Sequence, residues 1–400
     1  MTSPTSCLIT GGGPAGMMLG YLLARRGVPV TVLEKHADFL RDFRGDTVHP
    51  STLMALDQVG LLPRFNELPQ SRVNGLSVKI GDRVQQAVEF TGLKPFDFLA
   101  LVPQWDFLNM LAEAGAELPA FTLLMEHEAT GLLRDGKKVV GVTATTPDGA
   151  REFRADLVIA CDGRGSTLRD AAGLVAEDLG APMDVLWFRL PKPAKEGGEL
   201  FAVAGAGVAM VLLDRITYFQ AAYILPKGSD AELRGEPIET FRATVAKLVP
   251  ELGEVVAEIG SWDDVKTLEV KVDRLQTWHQ DGLLLIGDAA HAMSPIGGVG
   301  INLAIQDSIA AANVLAPVLR AGAEVTPAIL QQVQDRRLPA VKKTQGLQVT
   351  VQNNVLSAVL AAKGKPPQMP AVVRWLLGFR VIRNIPARII GYGFDREDVE

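Results

Sequence analysis

The hydrophobic pattern at the start of the chain changes its period twice. Residues 6–10 form a short apolar run, residues 14–26 repeat with a helical period, and residues 28–33 are a second run, rich in β-branched side chains. The two runs predict strands, and the segment between them predicts a helix that ends at Gly27. The order strand, helix, strand forms a supersecondary unit of the usual length.

The same two patterns predict further elements along the chain. Helices are expected at residues 47–60 and 105–114, and strands at residues 151–161 and 282–286. From Pro295 to about residue 362 the pattern is mainly helical. The three prolines within residues 363–370 predict a linker.

Residues 184–226 differ from the rest of the chain, because β-rich runs alternate there with turn residues. The runs are residues 185–190, 200–213 and 217–225. Several such runs in succession predict an antiparallel sheet, which would form a second lobe.

Length and composition exclude several classes of protein. With 400 residues the chain exceeds one typical hydrophobic core, so we expect two packed domains. Its net charge of −6 argues against a nucleic-acid partner. The five histidines lack metal-ligand spacing, so no metal site is expected.

Three features of the sequence bear on the cellular compartment. Cys7 and Cys161 lie within predicted buried strands, which favours a reducing compartment over a disulfide framework. The first residues lack the pattern of a signal peptide. The longest uncharged apolar stretch, residues 202–213, is too short for a transmembrane span of roughly 20 residues. We therefore expect a cytoplasmic protein.

The first motif that carries chemistry lies between the first strand and the first helix. Gly11, Gly13 and Gly16 have the spacing G-x-G-x-x-G, and Glu34 ends the second strand 21 residues after Gly13. Glycines at these positions make a tight turn and let the backbone approach a pyrophosphate, which the helix N-terminus stabilises. Glu34 can accept hydrogen bonds from a ribose. The alternative is a purely structural glycine turn.

Two further motifs follow the later strands. Asp162 and Gly163 come directly after one apolar run, and Gly287 and Asp288 after another, so each pair is expected where α/β proteins bind ligands. The second pair continues into a glycine-rich loop, residues 295–302, which starts a helix. Amides at that helix start could stabilise negative charge on a bound ring. On its own, the Asp162 turn could equally be without function.

With the three motifs in this order and spacing, the sequence resembles the FAD-dependent aromatic hydroxylases (group A flavoprotein monooxygenases) of the para-hydroxybenzoate hydroxylase fold. The likeness extends from Cys7 to about Arg337. It implies an α/β fold in which a Rossmann-type FAD-binding domain carries an inserted β-sheet substrate domain, an α+β second lobe, and a helical C-terminal region. The FAD-binding domain would comprise residues 1–75, 100–180 and 270–345. The substrate domain would comprise residues 76–99 and 181–269, and the helical segment residues 346–400.

The resemblance also implies which residues hold the cofactor. They are Gly11, Gly13, Pro14, Ala15 and Gly16 at the pyrophosphate, Glu34 with Lys35 at the adenosine ribose, Arg44 and Gly45 beside the flavin, Gln104 at the ribityl-phosphate region, Ala129 at the adenine, Asp162 and Gly163 at FAD, Gly287 and Asp288 at the ribityl chain, Pro295 beside the isoalloxazine, and Gly298, Val299, Gly300, Ile301 and Asn302 at its pyrimidine edge. Many relatives carry Gln or Lys where this chain has Val299. Because no His or Cys lies in a flavinylation motif, we expect non-covalent FAD.

The implied activity is hydroxylation of an aromatic or polycyclic phenol-like compound. NADPH or NADH would reduce FAD, and oxygen would react through a C4a-hydroperoxyflavin that passes one oxygen atom to the ring. Only one dinucleotide fingerprint is present, so the nicotinamide donor is expected to bind transiently. Two alternatives remain: a flavin-dependent reductase or dehydrogenase of an apolar substrate, and a non-catalytic flavin-binding redox sensor.

The expected substrate cavity lies under the second-lobe sheet. Candidates for its lining are Trp187, Arg189, Tyr218, Gln220 and Pro295, although Trp187 and Tyr218 would also fit as ordinary core aromatics. No catalytic acid or base is required. His49 and His291 adjoin the FAD motifs, and we expect packed histidines there rather than proton shuttles.

The C-terminal segment, residues 371–394, mixes apolar side chains with arginines. The arginines are Arg374, Arg380, Arg383 and Arg388. We expect a terminal helix that packs on the first domain with its arginines outward. The alternative is a basic amphipathic helix that contacts a membrane peripherally and admits a lipophilic substrate.

Overall fold

The computed structural model describes residues 5–40, 47–81, 83–192, 200–205, 207–362 and 371–400. Its strands are β1 (Thr5–Thr10), β2 (Val30–Leu33), β3 (Thr47–Val48), β4 (Ser71–Val73), β5 (Gly75–Ile80), β6 (Arg83–Glu89), β7 (Leu99–Leu101), β8 (Phe121–Leu124), β9 (Glu128–Asp135), β10 (Lys138–Thr146), β11 (Gly149–Ala160), β12 (Ala176–Asp178), β13 (Met183–Pro191), β14 (Leu200–Ala204), β15 (Ala209–Asp214), β16 (Tyr218–Pro226), β17 (Lys266–Leu268), β18 (Asp273–Leu275), β19 (His279–Gln280) and β20 (Leu283–Leu285).

Helices connect and cover these strands. They are α1 (Pro14–Arg25), α2 (Pro50–Gln58), α3 (Leu62–Glu67), α4 (Gln104–Ala116), α5 (Thr167–Ala171), α6 (Asp230–Arg234), α7 (Ile238–Leu248), α8 (Gly300–Arg320), α9 (Pro327–Val351), α10 (Ser357–Ala361), α11 (Ala371–Leu376) and α12 (Arg380–Tyr392). A π-helical turn, Gln352–Leu356, joins α9 to α10.

The first sheet has parallel strands at its centre. Its order is β19, β20, β11, β1, β2, β8, and all neighbouring pairs are parallel except β19 with β20. The side chains of Cys7, Leu8 and Ile9 are at most 1% exposed, so both faces of this central strand are covered. This burial explains why β1 and β20 are apolar runs without alternation.

Helices α1 and α4 pack against this sheet, and α8 packs against α1. Helix α8 continues a 25-residue apolar stretch, Ile296–Arg320, that by length and composition could cross a membrane. In this stretch 78% of the most apolar window is buried inside the protein. It is therefore the core helix of the first domain.

The second sheet lies in the other lobe, with the order β17, β13, β16, β15, β14, β5, β6. We predicted an antiparallel sheet, but β14 pairs with β5 in parallel, so the sheet is mixed. That pairing brings in a hairpin from residues 75–89, more than a hundred residues earlier in the chain. Helix α7 covers one face, where Phe241 contacts Phe188 and Tyr223 edge-on.

Three predicted elements have different bounds in the structure. Residues 47–48 form strand β3, and the helix expected at 47–60 begins only at Pro50, since proline is preferred in a first helical turn. The run 200–213 is two strands, β14 and β15, separated by a turn. Residues 393–400 of the C-terminal segment are not helical.

The C-terminal helix α12 packs against β6 and α2. We expected the arginines of this helix to point outward, but not all of them do. Arg383 is 16% exposed in its side chain, because its Nη2 donates to Oε2 of Glu89 at 2.7 Å. The ion pair links the tail to the hairpin that completes the second sheet.

Candidate cofactor and substrate site

Three turns meet at one edge of the first sheet. Strands β1, β11 and β20 are parallel neighbours that end at Thr10, Ala160 and Leu285. The glycine motif, the Asp162 turn and the Asp288 turn follow these strands directly. The carboxyl ends of parallel strands share one edge, so the sheet brings together motifs that lie far apart in the chain.

The glycine turn is shaped for a ligand that approaches its backbone. Gly11 has φ +96°, and a Cβ there would lie 2.4 Å from the carbonyl oxygen of Cys161. A Cβ on Gly16 would lie 2.0 Å from the carbonyl oxygen of Gly11, so the helix needs glycine to pack on its strand. Around Gly13, in contrast, nothing lies within 4 Å of a Cβ. No described side chain caps the first turn of α1, so its amides remain available to an anion.

Glu34 lies beside this turn and is 7% exposed. Its Oε2 accepts a hydrogen bond from the amide of Gly12 at 2.8 Å, and its Oε1 accepts one from His36 at 3.1 Å. The neighbouring Lys35 is exposed. The amide of His127 donates to the carbonyl oxygen of Glu34. Ala129 follows two residues later, at the start of β9, and therefore lies near the same end of the turn.

Asp162 holds its own turn together. Its Oδ1 accepts from the hydroxyl of Ser166 at 2.5 Å, and its Oδ2 accepts from the amide of Leu168 at 3.1 Å. Burial raises the pKa of Asp162 above its ordinary value. The next residue, Gly163, has φ +86°. The carboxylate thus shapes the turn at the start of α5, and any contact of this segment with a ligand would come chiefly from its backbone.

Asp288 is paired with an arginine that the sequence analysis did not single out. The Nε of Arg164 lies 2.9 Å from Oδ2 of Asp288, and its Nη2 donates to the carbonyl oxygen of Met293. The two acidic side chains at this edge therefore differ, because Asp162 is satisfied within its turn whereas Asp288 faces a cation across the cleft. The pattern Asp-Gly-Arg at 162–164 was the feature that could have indicated this pair.

A buried ionic cluster lies behind the Gly287 turn. Asp307 accepts hydrogen bonds from the amide of Gly287 at 3.1 Å, from Nε2 of His291 at 2.6 Å and from Nε of Arg337 at 3.0 Å. Burial acts to raise the pKa of Asp307, but His291 and Arg337 hold it below its ordinary value. His291 is 1% exposed and is a packed residue. Nothing in the sequence pattern connected Asp307 or Arg337 with the motif.

The loop before α8 approaches β3 closely. Gly297 and Gly298 have φ +78° and +61°, and a Cβ on Gly298 would lie 3.0 Å from Oγ1 of Thr47. Two consecutive left-handed residues explain why glycine occupies both positions. No described side chain caps the first turn of α8, which begins at Gly300. The amides of Gly300 and Ile301 lie in that turn, and Val299 precedes it.

The side chain of Asn302 is used inside the protein. Its Oδ1 accepts from the amide of His49 and from the hydroxyl of Thr52, both at 2.8 Å, and its Nδ2 donates to the carbonyl oxygen of Thr47 at 2.9 Å. The residue thereby fixes β3 and α2 to the start of α8. A contact between Asn302 and a cofactor would use its main chain.

His49 is fully buried behind this loop. Its Nδ1 lies 2.6 Å from the carbonyl oxygen of Ile390 in α12. Burial lowers the pKa of His49 to about 4. The ring is therefore neutral near pH 7 and is a packed histidine that ties the C-terminal helix to the loop.

Two glutamines, Gln348 in α9 and Gln352 in the π-helical turn after it, hold the loop that carries Pro295. Nε2 of Gln348 donates to the carbonyl oxygens of Ser294 and Ile296, both at 2.9 Å, and its Oε1 accepts from the amide of Ser294. Gln352 donates to the hydroxyl of Ser294 at 2.6 Å. Pro295 is thus fixed from both sides by residues that the sequence analysis missed, because glutamines on a helix have no distinctive spacing.

The remaining cofactor candidates are placed less directly. Gln104 is the first residue of α4, which follows β7, the central strand of a small sheet with the order β3, β7, β4. Arg44 and Gly45 lie outside the described residues. Among the residues that are described, no group of three or more His, Cys, Asp and Glu side chains could hold a metal ion.

The four candidates of the second lobe share one face of its sheet. Arg189 is directly opposite Gln220, Trp187 opposite Ala222, and Pro191 opposite Tyr218, so side chains at these positions point to the same side. The side chains at the alternate positions, such as Phe188, point to the opposite face, which α7 covers. Trp187 packs in the same apolar cluster as Ile296, next to Pro295, whereas Tyr218 is two side-chain rows further along.

Arg189 and Tyr218, at the polar end of this face, are in contact. The guanidinium carbon of Arg189 lies 5.0 Å from the centre of the Tyr218 ring. Oε1 of Gln220 accepts from Nε and Nη2 of Arg215 at 3.0 and 2.9 Å. Nearer to Trp187 the face is apolar, with Val211 opposite Ala222 and Leu213 opposite Gln220 on β15.

Comparisons with known proteins give a consistent result. A model of the FAD binding domain family matches residues 4–346. The chain is 31% identical over 385 residues to 6-methylpretetramide 4-monooxygenase of Streptomyces rimosus, which covers 95% of this chain and 92% of that protein. It is 30% identical over 314 residues to 12-dehydrotetracycline 5-monooxygenase/anhydrotetracycline 6-monooxygenase of Streptomyces rimosus subsp. rimosus, covering 76% of this chain and only 60% of that longer protein.

Solved structures have the same fold. p-Nitrophenol 4-monooxygenase PnpA from Pseudomonas putida superposes with a TM-score of 0.77 at 20% identity, covering 97% of each chain. PqsL, a probable FAD-dependent monooxygenase from Pseudomonas aeruginosa, superposes with a TM-score of 0.75 at 21% identity, covering 90% of this chain and 97% of that one. The predicted α/β fold with a Rossmann-type domain and a second β-rich lobe is confirmed.

Proposed function

Because the chain belongs to the FAD binding domain family and is an FAD-dependent monooxygenase, we propose that it hydroxylates a planar polycyclic aromatic substrate of the polyketide type, with NADPH or NADH as electron donor. The relatives named for pretetramide and tetracycline substrates support this class. The observation that carries the proposal is the apolar face around Trp187, which packs with the loop that bears Pro295.

The residues at the sheet edge fit FAD. The open space at Gly13 and the uncapped first turn of α1 suit the pyrophosphate, with Gly11, Pro14, Ala15 and Gly16 completing the turn. The carboxylate of Glu34 is a hydrogen-bond acceptor that suits the adenosine ribose, and that of Asp288 is one that suits the ribityl chain. We assign Gly163, Gly287, Lys35, Gln104, Ala129, Arg44 and Gly45 to the surroundings of the same cofactor.

The start of α8 would hold the pyrimidine edge of the ring. FAD, once reduced by NAD(P)H, supplies the activation of molecular oxygen. The amides of residues 299–302 would donate hydrogen bonds there, since the amide of Gly298 already donates to the carbonyl oxygen of Pro295, and the helix dipole would stabilise negative charge on the ring. The hydrogen bonds of Gln348 and Asn302 keep these amides in place before the ligand arrives. Preorganised donors of this kind need no rearrangement during the reaction.

The substrate would lie between this loop and the second sheet. Trp187 offers an aromatic surface for stacking on a flat ring system, and the small Ala222 and Val211 leave room beside it. An apolar enclosure would exclude water, which favours oxygen transfer to the substrate over unproductive side reactions. Arg189, Tyr218 and Gln220 lie at the polar end, where a hydroxyl or carbonyl group of the substrate would bind.

We further propose the domain division that the sequence suggests. Residues 1–75, 100–180 and 270–345 would bind FAD, residues 76–99 and 181–269 the substrate, and residues 346–400 would form the C-terminal segment. The pairing of β14 with β5, which in turn pairs with β6, supports the assignment of the early hairpin to the substrate domain. The buried free thiols of Cys7 and Cys161 support a reducing compartment such as the cytoplasm. Peripheral membrane contact through residues 371–394 would give access to apolar substrates.

The test is substrate-dependent oxygen insertion by the FAD-loaded enzyme. We would follow NADPH and NADH oxidation in air with dissolved phenols, naphthoquinones and tetracyclic aromatics, and analyse products by mass. A product heavier by one oxygen atom, with Trp187→Ala raising KM about tenfold through lost ring stacking and the exposed Val175→Ala leaving it unchanged, supports the proposal. A substrate reduced without oxygen would instead identify a reductase, and no turnover with any donor would indicate a binding protein.

A further inference from the structure

The two C-terminal helices expose an unusual apolar surface. In α11 none of the residues is buried. We call the surface formed by α11 and the solvent side of α12 the outer face. Its large apolar side chains, each 42–75% exposed, are Val372, Val373, Trp375, Phe379, Val381 and Ile385. Monomeric soluble proteins rarely leave such a contiguous group uncovered.

The charge of this surface is opposite to that of the whole chain. The protein has 46 acidic against 40 basic residues, yet no acidic residue lies between Asp335 and Asp395. Arg374 and Arg388 are exposed on the outer face. Val381, Ile385 and Arg388 are spaced by four and three residues, so they form one stripe along the solvent side of α12.

The opposite side of α12 is fixed to the protein. Arg383 pairs with Glu89, Asn384 donates to the carbonyl oxygen of Glu89, and the carbonyl of Ile390 binds His49. The side chain of Ile390 also lies 3.9 Å from the position of a Cβ on Gly297, in the loop proposed to hold the flavin ring. Helix α12 therefore cannot turn its exposed stripe inward without breaking these contacts.

We propose that the outer face docks on the surface of a lipid bilayer that contains anionic phospholipids. A six-residue helix with no buried face gains little from its own hydrogen bonds in water, so α11 needs a surface to cover it. Valine, tryptophan and phenylalanine side chains suit the boundary between headgroups and acyl chains, and the arginines bind lipid phosphates.

Charge argues against a second copy of the chain as the occupant. A two-fold dimer places the same patch on both subunits. Arg374 and Arg388 of one copy would then approach the same arginines of the other, without an acidic residue of the outer face between them. An anionic bilayer, in contrast, complements the apolar side chains and the charges together.

Docking would bring the flavin loop close to the membrane. Helix α12 separates the outer face from Gly297 by its own width, so a substrate dissolved in the bilayer would have a short path to the cavity. This consequence rests on the proposed hydroxylase function, whereas lipid binding does not. The two can therefore fail separately.

The experiment is co-sedimentation of FAD-loaded enzyme with vesicles of phosphatidylcholine alone and of equimolar phosphatidylglycerol and phosphatidylcholine. Each arginine near an anionic surface contributes about 1 kcal/mol, a factor of about five, so Arg374→Gln/Arg388→Gln should weaken binding to the anionic vesicles roughly 25-fold. Trp375→Ser/Val381→Ser/Ile385→Ser should abolish it. Val175→Ser/Arg320→Gln, which changes exposed residues of other elements, is the matched control and should bind normally.

Several outcomes would overturn the proposal. They are wild-type enzyme that stays in solution with the anionic vesicles, equal binding to both vesicle types, and outer-face variants that bind as well as the control. Light scattering that shows a dimer dissociated by the same variants would assign the surface to a second copy. Turnover of a dissolved phenol without vesicles, measured in parallel, reports the hydroxylase function independently.

Discussion

The Nε of Arg164 lies 2.9 Å from Oδ2 of Asp288, although the two residues are 124 positions apart in the chain. The contact joins the turn after β11 to the turn after β20, at the edge where FAD is expected. Their side chains are 31% and 33% exposed, so the pair lies at the rim of the cleft rather than in the core. Arg164 thus orients the carboxylate that we assign to the ribityl chain.

Replacing Asp288 should remove FAD from the protein. In Asp288→Ala the ribityl hydroxyls would lose a charged acceptor, which is typically a loss of about 1.5–3 kcal/mol, or roughly 10- to 100-fold in affinity. The ratio of flavin to protein absorbance after purification measures occupancy, with the exposed Asp148→Ala as control. Full flavin occupancy in Asp288→Ala would show that the carboxylate is elsewhere in the bound state.

Arg164 should act on FAD through Asp288. A double-mutant cycle with Arg164→Gln and Asp288→Asn, read out as the Kd for FAD, should give a coupling free energy of about 1 kcal/mol. The value is modest because solvent screens a pair that is a third exposed. Additive effects of the two substitutions would mean that the arginine binds the cofactor by itself or not at all.

The glycines of the first turn should respond differently to alanine. A Cβ on Gly16 would lie 2.0 Å from a carbonyl oxygen, so Gly16→Ala should destabilise the protein without any ligand, by several kcal/mol. Gly13→Ala meets no protein atom within 4 Å, so the apoprotein should keep its Tm while the methyl group obstructs the pyrophosphate. Thermal unfolding of the apoproteins and FAD titration separate the two effects. Unimpaired FAD binding by Gly13→Ala would place the pyrophosphate elsewhere.

Stability should depend on pH through His49. Burial lowers its pKa from 6.5 to about 4, so between these pH values the unfolded chain binds a proton that the folded protein does not. Stability from this residue is therefore complete above about pH 6.5 and is lost as the pH falls to 4, by about 3 kcal/mol in total.

Urea unfolding at pH 5 and pH 7.5 measures this dependence. The difference in the free energy of unfolding between the two pH values should be smaller in His49→Gln than in wild type by about 2 kcal/mol. Val175→Ser, an exposed substitution without a titratable group, is the control and should behave like wild type. An identical pH dependence in all three proteins would contradict a neutral, buried His49.

Local sequence patterns located the cofactor motifs because each depends on its own strand and turn. The glycines of the first turn, Asp162 and Asp288 were all found as residues that follow an apolar strand. The same approach missed Arg164, Asp307 and Gln348, whose partners lie tens to more than a hundred positions away. A hydrogen bond between distant segments leaves no periodic trace in either of them.

The sequence by itself determined the βαβ start, the strand-to-turn motifs and, through its resemblance to a family, the cofactor. Periodicity and turn chemistry are local, and a chain reports them directly. Only the tertiary structure decided that β14 pairs with β5 in parallel, that the side chains of Asn302 and Asp162 form hydrogen bonds inside the protein, and that Arg383 is paired while Arg388 is exposed. Those outcomes depend on which surfaces meet when the chain packs, and burial and partnership are properties of that packing rather than of any one segment.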